Sequence, residues 1–211
     1  MPTTAAYGVG MQGDLAVTGH ADADELLNTD PLALLIGMLL DQQVPMERAF
    51  SAPAELAERM GGRLDLGELA GADPDDLKLV FSRRPALHRF PGSMAARTQA
   101  LCRHVLDRHG GVAEAVWTSA ATGAELYANV EALPGFGEQK ARIFVALLAK
   151  RLQVRPEGWE AAAGAYAQPG WSSVADIDGP EALAKVREHK KAMKARAKAS
   201  GATPKARAPR A

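Results

Sequence analysis

Leu133-Pro134-Gly135-Phe136-Gly137-Glu138-Gln139-Lys140-Ala141 decides the fold of this 211-residue chain. An apolar residue and a proline close one element. Two glycines, one residue apart, make a tight turn, and a helix is predicted to start at once and run through Arg142-Ile143-Phe144-Val145-Ala146-Leu147-Leu148-Ala149. Glycine permits left-handed backbone angles and has no Cβ to hold a ligand away. A helix start presents free N–H groups and a partial positive charge. The combination is a seat for a phosphate group. An ordinary helix–helix turn with glycines for packing is the other reading of a lone G-x-G. The proline before it, the alanine after it and the helices on both sides favour the seat.

Working outward, the chain reads as helical nearly throughout. Residues 1–10 look like a loose start, and Met11–Thr18 is either a short β-stretch or irregular. Asp22–Leu27 reads as a first helix. Asp30-Pro31 is a strong opener, with an acid at the N-cap and proline at the first position. The helix that follows, Leu32–Gln43, is apolar almost all round, so it is expected to be central and buried. Pro45 interrupts it, and a helix over 46–60 ends at Gly61-Gly62. Short helices are predicted over Asp65–Ala70 and Asp75–Phe81, with Pro85–Phe90 a further short piece. A long amphipathic helix follows over Gly92–His109, with Met94, Leu101, Val105 and Leu106 on its inner side. Val112–Trp117 and Thr122–Ala132 lead into the hairpin, Ile143–Leu152 forms its second helix, and Trp159–Ala165 is short. Gln168–Asp178 reads as loop. Pro180 opens a last helix that fades after Met193 into low-complexity Ala/Lys/Arg sequence, expected to be disordered.

Composition narrows the class. Apolar residues make up 47% of the chain, enough for a core at this length. Few aromatics and abundant alanine favour helix over sheet. The single cysteine, Cys102, excludes a disulfide framework and any four-cysteine iron–sulfur or zinc site within the chain. No apolar run approaches the roughly 20 residues of a membrane span, and the N-terminus lacks a signal-peptide pattern. These features predict a soluble cytoplasmic protein. The net charge of zero hides an asymmetry: residues 185–211 hold ten of the 25 Lys/Arg and one of the 25 acids, leaving 15 bases and 24 acids before them. An acidic body is unusual for a nucleic-acid binder, since phosphate affinity rests on positive charge.

The order of these pieces resembles the helix-hairpin-helix base-excision DNA glycosylases, the HhH-GPD or endonuclease III-like superfamily, over roughly residues 25–160. Four stretches carry the likeness. They are the hairpin, the buried helix ending Leu39-Leu40-Asp41-Gln42-Gln43, the segment Ala95-Ala96-Arg97-Thr98-Gln99-Ala100-Leu101, and Tyr127–Leu133 feeding the hairpin. The resemblance implies an all-α fold of two helical lobes binding double-stranded DNA across a cleft. It divides the chain into an N-terminal segment (1–24), a helical domain (25–184) and a basic disordered tail (185–211).

The resemblance also implies roles. An enzyme acting on a base must draw it out of the stack, and something should fill the gap. Gln43, with Gln42 beside it, is in the place of the family's filling glutamine. The plainer reading is that both cap a helix broken by Pro45. Gly135, Phe136, Gly137, Gln139 and Lys140 would make the DNA-backbone seat, with a monovalent cation at the hairpin and no other cofactor. Lyase members carry a lysine two residues after the second glycine, whose amine forms a Schiff base. Here that position is Gln139. Lys140 is one residue on, a turn of about 100° around the helix, so lyase chemistry is not expected. The family's aspartate, some eighteen to twenty residues later, is also missing. Glu157 is the nearest acid and the candidate catalytic group, with Asp176 and Asp178 further on as cap and turn residues.

The implied function is a monomeric, monofunctional glycosylase acting on duplex DNA with a damaged or mispaired base. A catalytically inactive damaged-DNA-binding module on the same fold, or a helical protein-interaction domain with a coincidental hairpin, are the alternatives. The five histidines form no metal pattern, and Cys102 reads as core. Arg83-Arg84 with His88 and Arg89 is the body's one basic cluster, either a phosphate contact or a solvated loop. Trp159 and Trp171 either flank a base pocket or pack in the core.

Overall fold

Asp30 stands between two helices. α1 (Ala21–Thr29) ends against it, and its carboxylate accepts the N–H groups of Leu32 and Ala33 at 2.8 and 3.2 Å to open α2 (Pro31–Leu40). Pro31 supplies a helical φ where no N–H is needed. Every residue of α2 from Leu32 to Leu40 is buried. Gly37 lets α3 (Met46–Arg59) approach closely, for a Cβ there would meet the Phe50 ring at 2.9 Å. α2 stops at Leu40, three residues short of the expected Gln43. Pro45 disfavours helical angles in the residue before it, the Gln42 N–H turns back to the Leu40 carbonyl at 2.7 Å, and Gln43 takes a positive φ of 59°. Both glutamines therefore stand in a turn.

The structure, a computed structural model, describes residues 11–199. The loose start expected over 1–10 and the disordered end expected over 200–211 lie outside the described residues. Among the described residues the fold is all-α, with eleven α-helices and no strand. Met11–Thr18 is irregular, pinned by buried Leu15 and Val17. α4 (Leu66–Gly71) and α5 (Pro74–Ser82) are capped by Asp65 and Asp73 and pack on α6 (Pro91–His109). Pro85–Phe90 is not helical, and Leu106, expected on the inner side of α6, is 40% exposed. α7 (Ala115–Thr118) and α8 (Gly123–Glu131) lead to the hairpin. α9 (Glu138–Arg151) then packs between α8 and α10 (Trp159–Ala163). α10 runs on into a 3-10 turn at Gly164–Ala167, and a second 3-10 turn at Val174–Asp176 lies in the expected loop.

One continuous apolar core joins these groups, with Phe144 of α9 edge-on to both Trp117 and Phe136. Such edge-to-face contacts are favoured by the ring quadrupole. α11 (Pro180–Ala199) corrects the expectation of disorder from residue 185, since it is helical to Ala199. Its Ala/Lys/Arg sequence is made of strong helix formers and meets no proline until Pro204. Among the described residues no helix is long and apolar enough to cross a membrane.

Candidate functional site

The two hairpin glycines do different work. Gly135 has φ of +86°, and a Cβ there would overlap Leu39 Cδ1 of α2. Gly137 is extended (φ −118°, ψ 176°) and serves as N-cap of α9 with no side chain capping the helix. Nothing lies within 4 Å of the place its Cβ would take. The first-turn amides of α9 thus open onto free space at the positive end of a helix.

That space belongs to a cleft of about 950 Å³. Its walls are the end of α2 and its turn (Met38, Asp41, Gln42, Gln43), the hairpin (Gly135, Gly137, Gln139, Lys140), Tyr166, and His189, Lys190 and Met193 of α11. Six of the seven residues expected at the DNA-binding site line it, and Phe136 is the exception. Gln42 is locked: its side-chain amide donates to the Leu39 carbonyl (2.8 Å), its side-chain oxygen accepts from Arg97 (2.8 Å), and its backbone carbonyl is bound by His88 Nε2 (2.9 Å). His88 Nδ1 accepts the Phe90 N–H, so the imidazole is neutral with its proton on Nε2. Burial holds its pKa below the usual histidine value. Gln43 is exposed, and its side chain has no protein partner among the described residues. A non-glycine residue at positive φ is uncommon and gathers at turns and functional positions; Gln153, outside the cleft, has the same angle.

Gln139 reaches out to the Tyr166 hydroxyl at 3.0 Å. Phe136 corrects the expectation that it faces DNA: its side chain is 7% exposed and packs on Phe144, because the turn directs it into the core. Lys140 also turns inward. Its ammonium donates to the Met38 and Leu39 carbonyls at 2.6 and 2.9 Å, answering the C-terminal end of α2, and lies 5.6 Å from the Phe136 ring centre. Burial depresses its pKa to about 8, with Asp41 opposing and Arg97 adding to the fall.

Glu157 is not brought to this cleft. The chain around it folds back on the start of α8, where its carbonyl accepts the Gly123 N–H at 2.8 Å in a short bridge with Thr122, and its side chain is exposed. Asp176 is buried and spent: it ion-pairs with Lys150 at 2.7 Å and accepts the Ser172 and Ser173 N–H groups. Asp178 is exposed beside Arg151. Two carboxylates line the cleft: Glu138, exposed and paired with Arg142, and Asp41, half-buried at the end of α2, which sequence reasoning passed over. Burial raises its pKa, while Lys190 and Lys140 favour its charged form. Its signal was a charged residue directly after an apolar rod. Arg83 and Arg84 are exposed and outside the cleft, and neither Trp159 nor Trp171 lines it. Cys102 is buried, its thiol pushed up to about 12 by burial.

A family model described as HhH-GPD superfamily base excision DNA repair protein matches residues 36–199. The match takes in α11, beyond the point near residue 160 where the likeness read from the sequence ended. No curated protein and no solved structure matches the chain.

Proposed function

The chain belongs to the HhH-GPD superfamily of base excision DNA repair proteins, and from that premise we propose that it is a monofunctional DNA glycosylase. It acts as a monomer on duplex DNA, hydrolysing the N-glycosidic bond of a damaged or mispaired base. The observation that carries the reading is the meeting, in one cleft, of the strained and unpartnered Gln43 with the open helix start at Gly137. The α9 amides hold a phosphate next to the lesion, and a bound monovalent cation would strengthen that seat. Gln43 fills the duplex where the base leaves. Gln42, His88 and Arg97 keep its turn in place.

Asp41 takes the part first expected of Glu157. A carboxylate whose pKa is lifted by burial is a better proton acceptor. As water adds to the sugar carbon and the base departs with the glycosidic electron pair, Asp41 stabilises the developing sugar cation and takes the proton from the water. Duplexes bearing single lesions test this directly. Base release by the wild type and its loss in Asp41→Asn, with binding retained, is the expected result. Binding without release by the wild type on every lesion offered would favour the second reading, a damage-recognition module without catalysis. That reading draws its support from Gln139 at the position of the lyase lysine and from the exposed, remote Glu157.

A further inference from the structure

α11 is half anchored and half free. Ala182, Leu183 and Val186 are buried, the Lys185 ammonium lies 4.6 Å from the Trp171 ring centre, and Arg187 ion-pairs with Glu47. Beyond Val186 every described side chain is exposed. This free half carries Lys190, Lys191, Lys194, Arg196 and Lys198 against one acid, Glu188. None of the five cations has a carboxylate partner within ion-pair distance among the described residues. Lys190 donates only to the Met46 sulfur, a weak acceptor. Like charges four residues apart destabilise a helix, so this half has no internal reason to be so basic. It has no apolar face to bury either.

Its position supplies a reason. Lys190 and Met193 line the cleft that the hairpin also lines. The row through Val186, Lys190, Lys194 and Lys198 therefore starts in the core, passes the cleft and continues past its rim. Successive members of the row rise by about 6 Å along the helix. Alternate phosphates of one DNA strand are spaced by about 6.8 Å along the duplex axis. The first 184 residues carry 15 bases and 24 acids, so they repel a polyanion overall.

We propose that the free half of α11 is a rigid clamp for the phosphate backbone of duplex DNA, extending the cleft along one strand and blind to sequence and to damage. This rests on the DNA-repair reading above and adds a second contact surface to it. The occupant is the duplex itself, chosen by charge complementarity and by continuity with the cleft.

The test uses the full chain and two variants with exposed substitutions only. Lys194→Glu/Arg196→Glu/Lys198→Glu reverses the charge. Ala195→Pro keeps every charge and breaks the helix. Affinity for an intact duplex and for one with an abasic site is measured across a salt series. Charge reversal should weaken both equally, by roughly tenfold or more near physiological salt, and flatten the log–log salt slope by about 3. The ratio between the two duplexes should hold. Ala195→Pro should weaken both as well. An unchanged slope in the charge-reversal variant, with wild-type binding intact, overturns the clamp and spares the repair reading. Full affinity in Ala195→Pro overturns the rigid clamp in favour of a loose polycation. A wild type that binds no duplex at any salt overturns clamp and repair reading together.

Discussion

Leu39 of α2 occupies the place that any side chain on Gly135 would need, so the hairpin is keyed to the buried helix by the absence of one methyl group. The glycine two residues on has no such neighbour and no unusual backbone angle. The first is required by the fold, and the fold leaves the second free.

Substitutions should therefore separate the pair. Gly135→Ala should cost about 1–3 kcal/mol through overpacking and a disfavoured φ. Gly137→Thr should leave stability within about 0.5 kcal/mol, since threonine and glycine are comparable N-caps. Its hydroxyl would answer the amides itself, and its methyl would fill the seat, so duplex binding should vanish. Thermal melts beside affinity measurements decide it. Full affinity in Gly137→Thr would mean that no phosphate sits there.

The two glutamines should part in the same way. Gln43→Ala should weaken binding to a lesion duplex, relative to an intact one, on the order of 1–3 kcal/mol. Gln43→Gly should do the same while raising the melting temperature, because glycine carries no penalty at φ of 59°. Gln42→Ala should instead lower stability by about 1 kcal/mol, as its bonds to Arg97 and the Leu39 carbonyl are lost. Equal effects of the two alanine variants on lesion discrimination would refute the division.

Borohydride should not trap the protein on abasic DNA. Gln139 lacks an amine, and that of Lys140 is tied to the Met38 and Leu39 carbonyls at the end of α2. A covalent adduct that disappears in Lys140→Ala would show that this amine leaves its carbonyls and attacks.

Lys140 also makes a pH prediction. Its pKa falls from 10.5 to about 8 on folding, chiefly by burial. Below pH 8 both folded and unfolded chains are protonated, and the cost of burying the charge is fully present. Between about 8 and 10.5 the unfolded chain holds more protons, so stability gains with rising pH. Relative to Lys140→Met, the wild type should gain up to about 3 kcal/mol over that window. Denaturant melts of both proteins at pH 7.5 and 10 would expose the error if their difference stays flat.

The all-α fold, the cap at Asp30 and the hairpin were legible because each rests on neighbours in sequence. The cleft was legible only where the hairpin and the α2 turn supply it. Asp41 looked like one more helix-ending acid, since its importance comes from Lys140 and Lys190, 99 and 149 residues away. Phe136 was misread because a single residue between two glycines does not reveal which way the turn faces. His88, lying under Gln42, was indistinguishable from any other histidine. The helical course of α11 to Ala199 was hidden by composition that disordered tails share.

The division of charge along the chain has a consequence for encounter. With no net charge, the molecule meets DNA from afar as a dipole, and only within a Debye length, about 8 Å at physiological salt, do its poles act separately. Where α11 and the cleft form the binding edge, as proposed, the acidic body would be turned away and collisions biased toward those in which the cleft arrives first. With the clamp proposed above, the protein would be held to DNA by one edge. On that reading it should leave undamaged stretches sooner, and sample more sites in a given time, than a uniformly basic protein.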